Sequence, residues 1–232
     1  MFGTLVNVAA IIVGALIGIT LRKGIAERFK LTIMHGIGLV VCLIGVNMAI
    51  KTSNEIIVIL SMVVGGLIGE ILDIEGFLTK LGKSLNNIVK AEEGDFIKAF
   101  VSSSLVYCVG AMSIMGSFQS GLTGEHSILL AKSALDGITA IVFSSSMGIG
   151  VIFSALPVLI YQGLLTLLAE SVQGILTDPV VREMTATGGL LIVAIGVNML
   201  GFNKFKVANL LPAIFVAIIF TLLAARFFPA AI

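Results

Sequence analysis

Long apolar runs separated by short polar segments divide the chain along its whole length. A helix needs about 20 residues to cross the ~30 Å of hydrocarbon in a bilayer, and runs of about 17–23 residues meet that length. The pattern therefore predicts an all-α polytopic membrane protein with about eight transmembrane helices. We place the spans at 4–21, 34–50, 55–72, 97–116, 127–145, 150–170, 186–202 and 207–227.

The fifth predicted span is the most polar of the eight, because it contains Lys132 and Asp136. Only the serine- and glycine-rich segment 144–150 separates it from the sixth span. This segment is compatible with a tight turn or with a break inside a helix. The dipeptide Asp136-Gly137 predicts a second weak point at mid-membrane, where a broken helix would offer free backbone groups to an ion.

The segment 73–95 has a different pattern from the spans. Its apolar residues recur at spacings of one, three and four, and lysines and asparagines occupy the remaining face. This pattern predicts an amphipathic helix lying on the cytoplasmic leaflet. An ordinary solvated linker helix explains the pattern equally well.

Two segments, 38–48 and 189–199, carry nearly the same sequence and share the run Ile-Gly-Val-Asn-Met. They belong to the second and seventh spans, which cross in opposite directions. We therefore predict an inverted-topology repeat of spans 1–3 against spans 6–8 around a central polar helix pair. Chance similarity of glycine-rich apolar segments is the alternative. The predicted organisation is a single transmembrane domain, 1–232, with repeats at 4–72 and 150–228, the amphipathic helix at 73–95 and the central pair at 96–149.

Composition and charge support a membrane location and predict an orientation. Hydrophobic residues make up 58% of the chain and charged residues 12%, against about 25% charged in soluble domains. A net charge of +1 argues against nucleic-acid binding. With both termini outside, ten basic residues lie on the inner side and three on the outer side, as the positive-inside rule requires. The inner set is Arg22, Lys23, Arg28, Lys30, Lys80, Lys83, Lys90, Lys98, Lys204 and Lys206; the outer set is Lys51, Arg182 and Arg226.

Candidate chemistry concentrates in spans four and five. Charges inside a span cost at least about 2.5–3.5 kcal/mol each, and Lys132 and Asp136 at i, i+4 share one helix face and can pair. A structural ion pair that holds helices together is the alternative to a transport site. Asn47 and Asn198, one in each repeat, either line a pathway or form hydrogen bonds between helices. The predicted substrate- or ion-binding residues are Asp136, Lys132, Ser133, Gln119, Ser117, Ser102, Ser103, Ser144, Ser145, Asn47 and Asn198.

Several motifs resemble a known family. They are the segments 108–117 and 119–127, Ala131-Lys132-Ser133-Ala134-Leu135-Asp136-Gly137, and the segments 153–163 and 207–213. Together they resemble the uncharacterised bacterial inner-membrane proteins of the YqgA/YdfK type, a domain-of-unknown-function family. Ser120 departs from the resemblance, because the family commonly has an acidic residue there. The resemblance implies a polytopic protein of the bacterial inner membrane and no particular substrate.

These features favour a secondary transporter or exchanger of a small solute or ion. Asp136 would be the coupling group, Lys132 its counter-charge, and sodium or a proton the coupling ion. A passive channel or a non-transporting membrane scaffold or sensor are the alternatives. The sequence carries no hydrolase, zinc-protease or phosphate-binding motif, so we expect no enzyme, metal or cofactor. Expected partners are membrane lipid, the solute or ion, and a further copy of the chain packed through small-xxx-small motifs.

Overall fold

The computed structural model describes residues 1–22, 27–90, 93–109, 111–172, 174–202 and 205–227, with the backbone alone at 27, 30, 93, 111 and 172. Within these ranges the regular structure is helical. The helices are α1 (Phe2–Arg22), α2 (Glu27–Ala49), α3 (Glu55–Leu72), α4 (Ile74–Val89), α5 (Glu93–Cys108), α6 (Ala111–Leu122), α7 (Ser127–Met147), α8 (Gly150–Phe153), α9 (Ala155–Leu167), α10 (Ala169–Val172), α11 (Asp178–Leu200) and α12 (Pro212–Phe227), with a 3₁₀ turn at Val207–Leu210.

The helix count confirms the predicted fold class. Among the described residues, seven helical segments are long and apolar enough to cross a membrane, and the bent pair α5–α6 makes an eighth if it forms one span. Large apolar side chains are exposed on most of these helices, as expected where they face lipid. Some predictions lie outside the described residues: the positions of Lys23 and Lys204, and the parts of the predicted segments at 23–26, 91–92, 110, 173, 203–204 and 228.

The segment predicted as the fourth span, 97–116, is divided between two helices. Gly94–Cys108 and Met112–Leu122 meet at an angle of 58°. The buried Ser113 hydroxyl donates a hydrogen bond of 2.8 Å to the carbonyl oxygen of Tyr107. This bond satisfies one of the last carbonyl groups of α5.

The helix α7 is continuous through Asp136 and Gly137, so the weak point predicted at this dipeptide does not break the helix. The glycine instead allows α1 to approach closely: a Cβ atom on Gly14 would lie 2.2 Å from the carbonyl oxygen of Gly137. The chain breaks later, where Gly148 at φ 91° ends α7. The segment 144–150 is therefore the end of α7 followed by a turn into α8.

The described helices form two compact units. The first unit comprises residues 1–37, 78–108 and 112–170. In it α1 and α7 run parallel and in close contact, because Gly3 packs on Leu129, Gly14 on Ala140 and Gly18 on Ile141. Aromatic side chains fill the space between α5 and its neighbours. Tyr107 stacks on Phe143 of α7 with ring centroids 6.1 Å apart.

The second unit comprises residues 38–77, 109–111 and 171–232. Here the two repeated segments pack directly on each other in antiparallel directions. A Cβ atom on Gly45 would lie 2.6 Å from the carbonyl oxygen of Gly189, and one on Gly196 would lie 2.7 Å from that of Gly38. Between these contacts, the Cys42 thiol lies 3.7 Å from the carbonyl oxygen of Val193.

The helix α4 covers most of the segment predicted to be amphipathic. It begins after Asp73, whose φ of 47° ends α3 in the left-handed region, and it ends at Val89 rather than 95. Its side chains Phe77 and Ile88 are 64% and 77% exposed. Exposed apolar residues on a lysine-bearing helix are typical of helices that lie at a membrane surface.

Candidate functional site

Two oppositely charged side chains lie at the middle of α7 and are almost completely buried. Lys132 and Asp136 are four residues apart, so one helix face carries both, and the ammonium Nζ donates a hydrogen bond to Oδ2 of the carboxylate. Their side chains are 7% and 10% exposed. Because each charge would be costly alone in an apolar environment, the pair neutralises both.

Two further helices contribute an amide each to this pair. Asn7 of α1 donates from Nδ2 to Oδ2 of Asp136 at 3.0 Å, and the same nitrogen lies 3.3 Å from Oε1 of Gln162 on α9. Both amides are fully buried. We call these four residues (Asn7, Lys132, Asp136 and Gln162) the polar cluster. The carboxylate oxygen Oδ2 of Asp136 connects α7 to α1, and the Asn7 amide connects α1 to α9.

Several polar atoms of the first unit are buried without a protein hydrogen-bond partner among the described residues. They are Asn7 Oδ1, Gln162 Nε2, Thr4 Oγ1, Tyr107 OH, Ser117 Oγ and Ser146 Oγ. Two of these atoms belong to the polar cluster itself, and Thr4 lies one turn from Asn7 on α1. A buried polar atom without a partner costs about 1–3 kcal/mol, so proteins seldom keep several together without a role for them.

The other serines predicted to line the site mostly bond to their own helices. The Ser133 hydroxyl donates to the carbonyl oxygen of Leu129, and three more serines bond in the same way. These are Ser103 to Ala99, Ser144 to Ala140 and Ser145 to Val142. Such local bonds satisfy a hydroxyl inside an apolar helix without any ligand. Ser102 is half-buried, and Ser117 is the predicted serine whose buried oxygen has no partner in the described part of the chain.

Gln119 lies at the turn between α6 and α7 rather than in the polar cluster. Its Nε2 donates to Glu125 at 2.9 Å, and its Oε1 accepts from Ser127 at 3.4 Å. Beside it, the Ser120 hydroxyl lies 2.9 Å from Nδ1 of His126. These bonds close the turn, so Gln119 has a local structural role there.

The two repeated asparagines belong to the second unit and differ in their surroundings. Asn47 is exposed on α2. Asn198 exchanges two hydrogen bonds of 2.8 Å with the backbone of Phe205. These bonds connect the end of α11 to the segment that follows it. Asn198 therefore bonds within the connection that follows its own helix rather than to a second helix.

Two members of the polar cluster were absent from the predicted site: Asn7, which bonds to Asp136, and Gln162, which bonds to Asn7. The available signal was a single amide within an otherwise apolar span, which is costly unless it is bonded.

A buried glutamate in the second unit was also missed. Glu183 is 1% exposed and accepts hydrogen bonds from the Thr52 hydroxyl and from the backbone N–H of Ser53 at 2.8 Å.

A charged cluster in the second unit connects α3 to the segment before α12. Glu70 accepts from Lys206 Nζ at 2.5 Å and from Asn209 Nδ2 at 2.6 Å. Asn209 in turn accepts from the backbone N–H of Glu75 at 2.7 Å. The bond to Glu70 and its negative charge raise the pKa of the exposed Lys206 ammonium above its usual value. All the acceptors are bonded, which is typical of a structural connection.

The fold and the buried pair define the class: an all-helical polytopic membrane protein with an ionisable pair inside a span. The chain belongs to the family described as "Protein of unknown function (DUF554)", whose family model matches residues 2–222. It is 32% identical over 220 residues to the uncharacterized membrane protein YdfK of Bacillus subtilis (strain 168), covering 93% of each chain. It is 33% identical over 222 residues to the uncharacterized protein YqgA of Escherichia coli (strain K12), covering 94% of each. No solved structure matches the chain significantly.

Proposed function

We propose that the protein is a secondary transporter or exchanger of a small solute or ion across the bacterial inner membrane. The observation that carries the proposal is the polar cluster. A carboxylate, an ammonium and two amides are buried together where three helices of the first unit meet. Ionisable groups inside spans are rare, and in membrane proteins they commonly mark ion, proton or substrate pathways.

The unpaired atoms distinguish this proposal from a purely structural ion pair. A structural pair gains most when every neighbouring polar group is satisfied, because the low dielectric makes unpaired groups costly. Among the residues that the structure describes, one acceptor and one donor of the polar cluster have no partner: Asn7 Oδ1 and Gln162 Nε2. A site that binds and releases a ligand needs such free capacity, and this supports transport over a structural role.

The proposed topology has eight crossings with both termini outside. The direction of two helices supports it, because α1 and α7 run parallel. Helices that cross in the same direction are separated by an odd number of crossings. The helices α2 and α3 supply two, and the bent pair α5–α6 supplies the third if it spans the membrane. The distribution of lysine and arginine gives the orientation.

We also propose that the chain is an inverted repeat, whose halves would alternate to open the site to each side in turn. The contacts between α2 and α11 support a local two-fold relation. An offset of 151 residues exchanges Gly38 with Gly189 and Gly45 with Gly196. Each of the two glycine contacts therefore maps onto the other, and the Cys42–Val193 contact maps onto itself. Such exchange is the property of a two-fold interface.

Transport by purified protein in liposomes tests the proposal. Vesicles with and without the protein are assayed for uptake of radiolabelled sodium, rubidium, alanine, glutamate, lactate and phosphate under an imposed pH or sodium gradient. We expect saturable uptake of at least one solute that accumulates only while the gradient lasts. Flux that never saturates and follows the solute's own gradient would indicate a channel. Vesicles no more permeable than protein-free controls to any of these solutes would contradict transport.

A further inference from the structure

We propose that the polar cluster exchanges one monovalent cation for one proton, and that Lys132 is the group that releases the proton. This inference rests on the proposed transport function and names its substrate class and its coupling. It follows from the oxygen atoms available around Asp136 and from the charge that the cluster can hold.

The polar cluster and the adjacent turn of α1 offer a set of oxygens suited to a hard cation. The Asp136 carboxylate is bonded through Oδ2, and the amide oxygen Oδ1 of Asn7 is buried with no partner in the described part of the chain. The Thr4 hydroxyl lies one turn away on α1, is fully buried, and likewise has no partner among the described residues. Carboxylate, amide and hydroxyl oxygens are the ligands that alkali and alkaline-earth cations prefer.

A single carboxylate limits the charge of the cation. Divalent ions in proteins are usually held by several carboxylates, whereas the polar cluster has one, Asp136. The carboxylate is already neutralised by Lys132. A second positive charge would leave the buried cluster with a net charge of +1, which is costly inside a membrane.

Loss of the proton from Lys132 removes this excess charge. The incoming cation binds the Asp136 carboxylate, and the Lys132 ammonium separates from the carboxylate. The ammonium then gives its proton to water on the side to which the site is open, and a neutral amine remains. An ammonium that has lost its counter-charge is costly inside a membrane, and the neutral amine that remains avoids this cost. Release of the cation on the other side reverses the steps. One cation crosses for each proton, and the net charge of the cluster stays the same.

The described ionisable groups that face Lys132 and Asp136 from neighbouring helices are neutral, so this pair carries the charge of the site. Tyr107 and Cys108 of α5 lie within electrostatic range of Asp136, and Tyr161 of α9 lies within range of Cys108. All three are neutral at physiological pH in their ordinary states. The one basic side chain described on α1, Arg22, is at its far end and pairs with Asp95 at 3.4 Å. The described parts of α6 and α8 carry no ionisable side chain.

Equilibrium binding of radiolabelled sodium and rubidium to the purified full-length protein in detergent tests the inference, between about pH 6 and pH 9. If each cation displaces one proton, the affinity of the protein for the cation should increase about tenfold per pH unit. This increase should extend over the pH range in which the cation-free protein keeps that proton. In weakly buffered solution, adding the cation should release about one proton for each cation bound. Choline chloride at equal ionic strength is the control salt.

Variants at Lys132 separate proton release from simple neutralisation. Lys132→Arg preserves a cation for Asp136, but a guanidinium stays protonated throughout this range. We expect it to reduce cation affinity at least about tenfold and to abolish its pH dependence. A structural ion pair would tolerate this change. The double variant Lys132→Met/Asp136→Asn removes both charges and should not bind either cation. Thr139→Val is the control on the same helix, because the Thr139 hydroxyl donates to the carbonyl oxygen of Leu135 one turn earlier in α7. This variant should bind both cations as the wild type does.

The outcomes distinguish this inference from the transport proposal. Cation binding without pH dependence, or without proton release, would overturn the exchange. Wild-type protein that binds neither sodium nor rubidium, but takes up another solute in liposomes, would overturn the inference and leave the transport proposal standing. Protein that binds a cation with release of a proton, yet transports nothing in liposomes, would overturn transport and therefore the exchange built on it.

Discussion

Asp136 is the residue on which the account of this protein depends. Its carboxylate accepts hydrogen bonds from Lys132 on its own helix and from Asn7 on α1, and it is buried in the middle of α7. A buried carboxylate is stable only while its partners supply donors and positive charge. Asn7 is the partner that comes from another helix, and it also bonds to Gln162. Removing it therefore weakens two contacts at once.

Asn7→Leu should destabilise the protein, because leucine has a similar volume and donates no hydrogen bond. We expect a loss of about 0.6–2 kcal/mol, the range of such bonds between membrane helices, and an apparent Tm lower by roughly 2–4 °C per kcal/mol. Thermal unfolding in detergent measures the change. Asn47→Leu is the matched control: this asparagine is exposed on α2, so the same substitution should cause no loss. Equal stability of the two variants would contradict the importance of the Asn7 contacts.

Spacing along the sequence predicted one contact of the polar cluster and could not predict the others. Lys132 and Asp136 were predicted to pair because their spacing places them on one helix face. Asn7 and Gln162 were missed because the choice of neighbouring helices depends on tertiary packing, which helix periodicity does not specify. The role of the serines of α5 and α7 stays a prediction, and the bonds of Ser103 and Ser144 to their own helices could not be told from the sequence.

At the scale of elements, the contact between α1 and α7 positions the polar cluster. The two helices run parallel, and small residues bring their backbones close enough for Asn7 to reach Asp136. The lengths of the apolar runs predicted the spans well, because bilayer thickness fixes how long a crossing helix must be. The break between α5 and α6 was not predicted, since serine and glycine are common in continuous membrane helices too.

Gly14→Ala should disturb the contact between α1 and α7. The added Cβ would lie 2.2 Å from the carbonyl oxygen of Gly137, so the helices must separate, at a cost of roughly 1–3 kcal/mol. Gly36→Ala makes the same change on α2 where no atom lies within 4 Å, and it should be neutral or slightly stabilising. Thermal unfolding of the two variants in one detergent gives the comparison. A Gly14→Ala protein as stable as Gly36→Ala would contradict the close packing.

At the scale of the whole molecule, the protein combines apolar helices, the lysine-bearing helix α4 and a repeated segment. The repeat was visible in the sequence because identical residues serve equivalent contacts, and in the second unit the two copies pack on each other. The inverted repeat of the complete chain stays a prediction, as does the orientation in the membrane. Both depend on the number of crossings, for which the bent pair α5–α6 is decisive.

Reporter fusions determine the number of crossings. With eight crossings and the observed charge distribution, both termini face the cell exterior. Alkaline phosphatase fused after Ile232 should therefore be active, and a green fluorescent protein at the same position should be dark. The same reporters placed after Asn87, in the predicted cytoplasmic helix, should give the opposite result. A fluorescent carboxyl-terminal fusion would imply an odd number of crossings if the amino terminus is outside.

The activity of the double variant Lys132→Met/Asp136→Asn tests the central claim most directly. Replacing both charges avoids leaving either one unpaired, so this variant should fold with nearly wild-type stability. Asp136→Asn alone would leave the Lys132 charge buried without a partner and should lower the free energy of unfolding by about 3–5 kcal/mol. The assay is gradient-driven uptake, in liposomes, of whichever solute the wild type accumulates, with Thr139→Val as the active control. If the polar cluster is the transport site, the well-folded double variant should lose uptake by at least about tenfold. Full uptake by a stable double variant would show that the pair serves only to hold helices together.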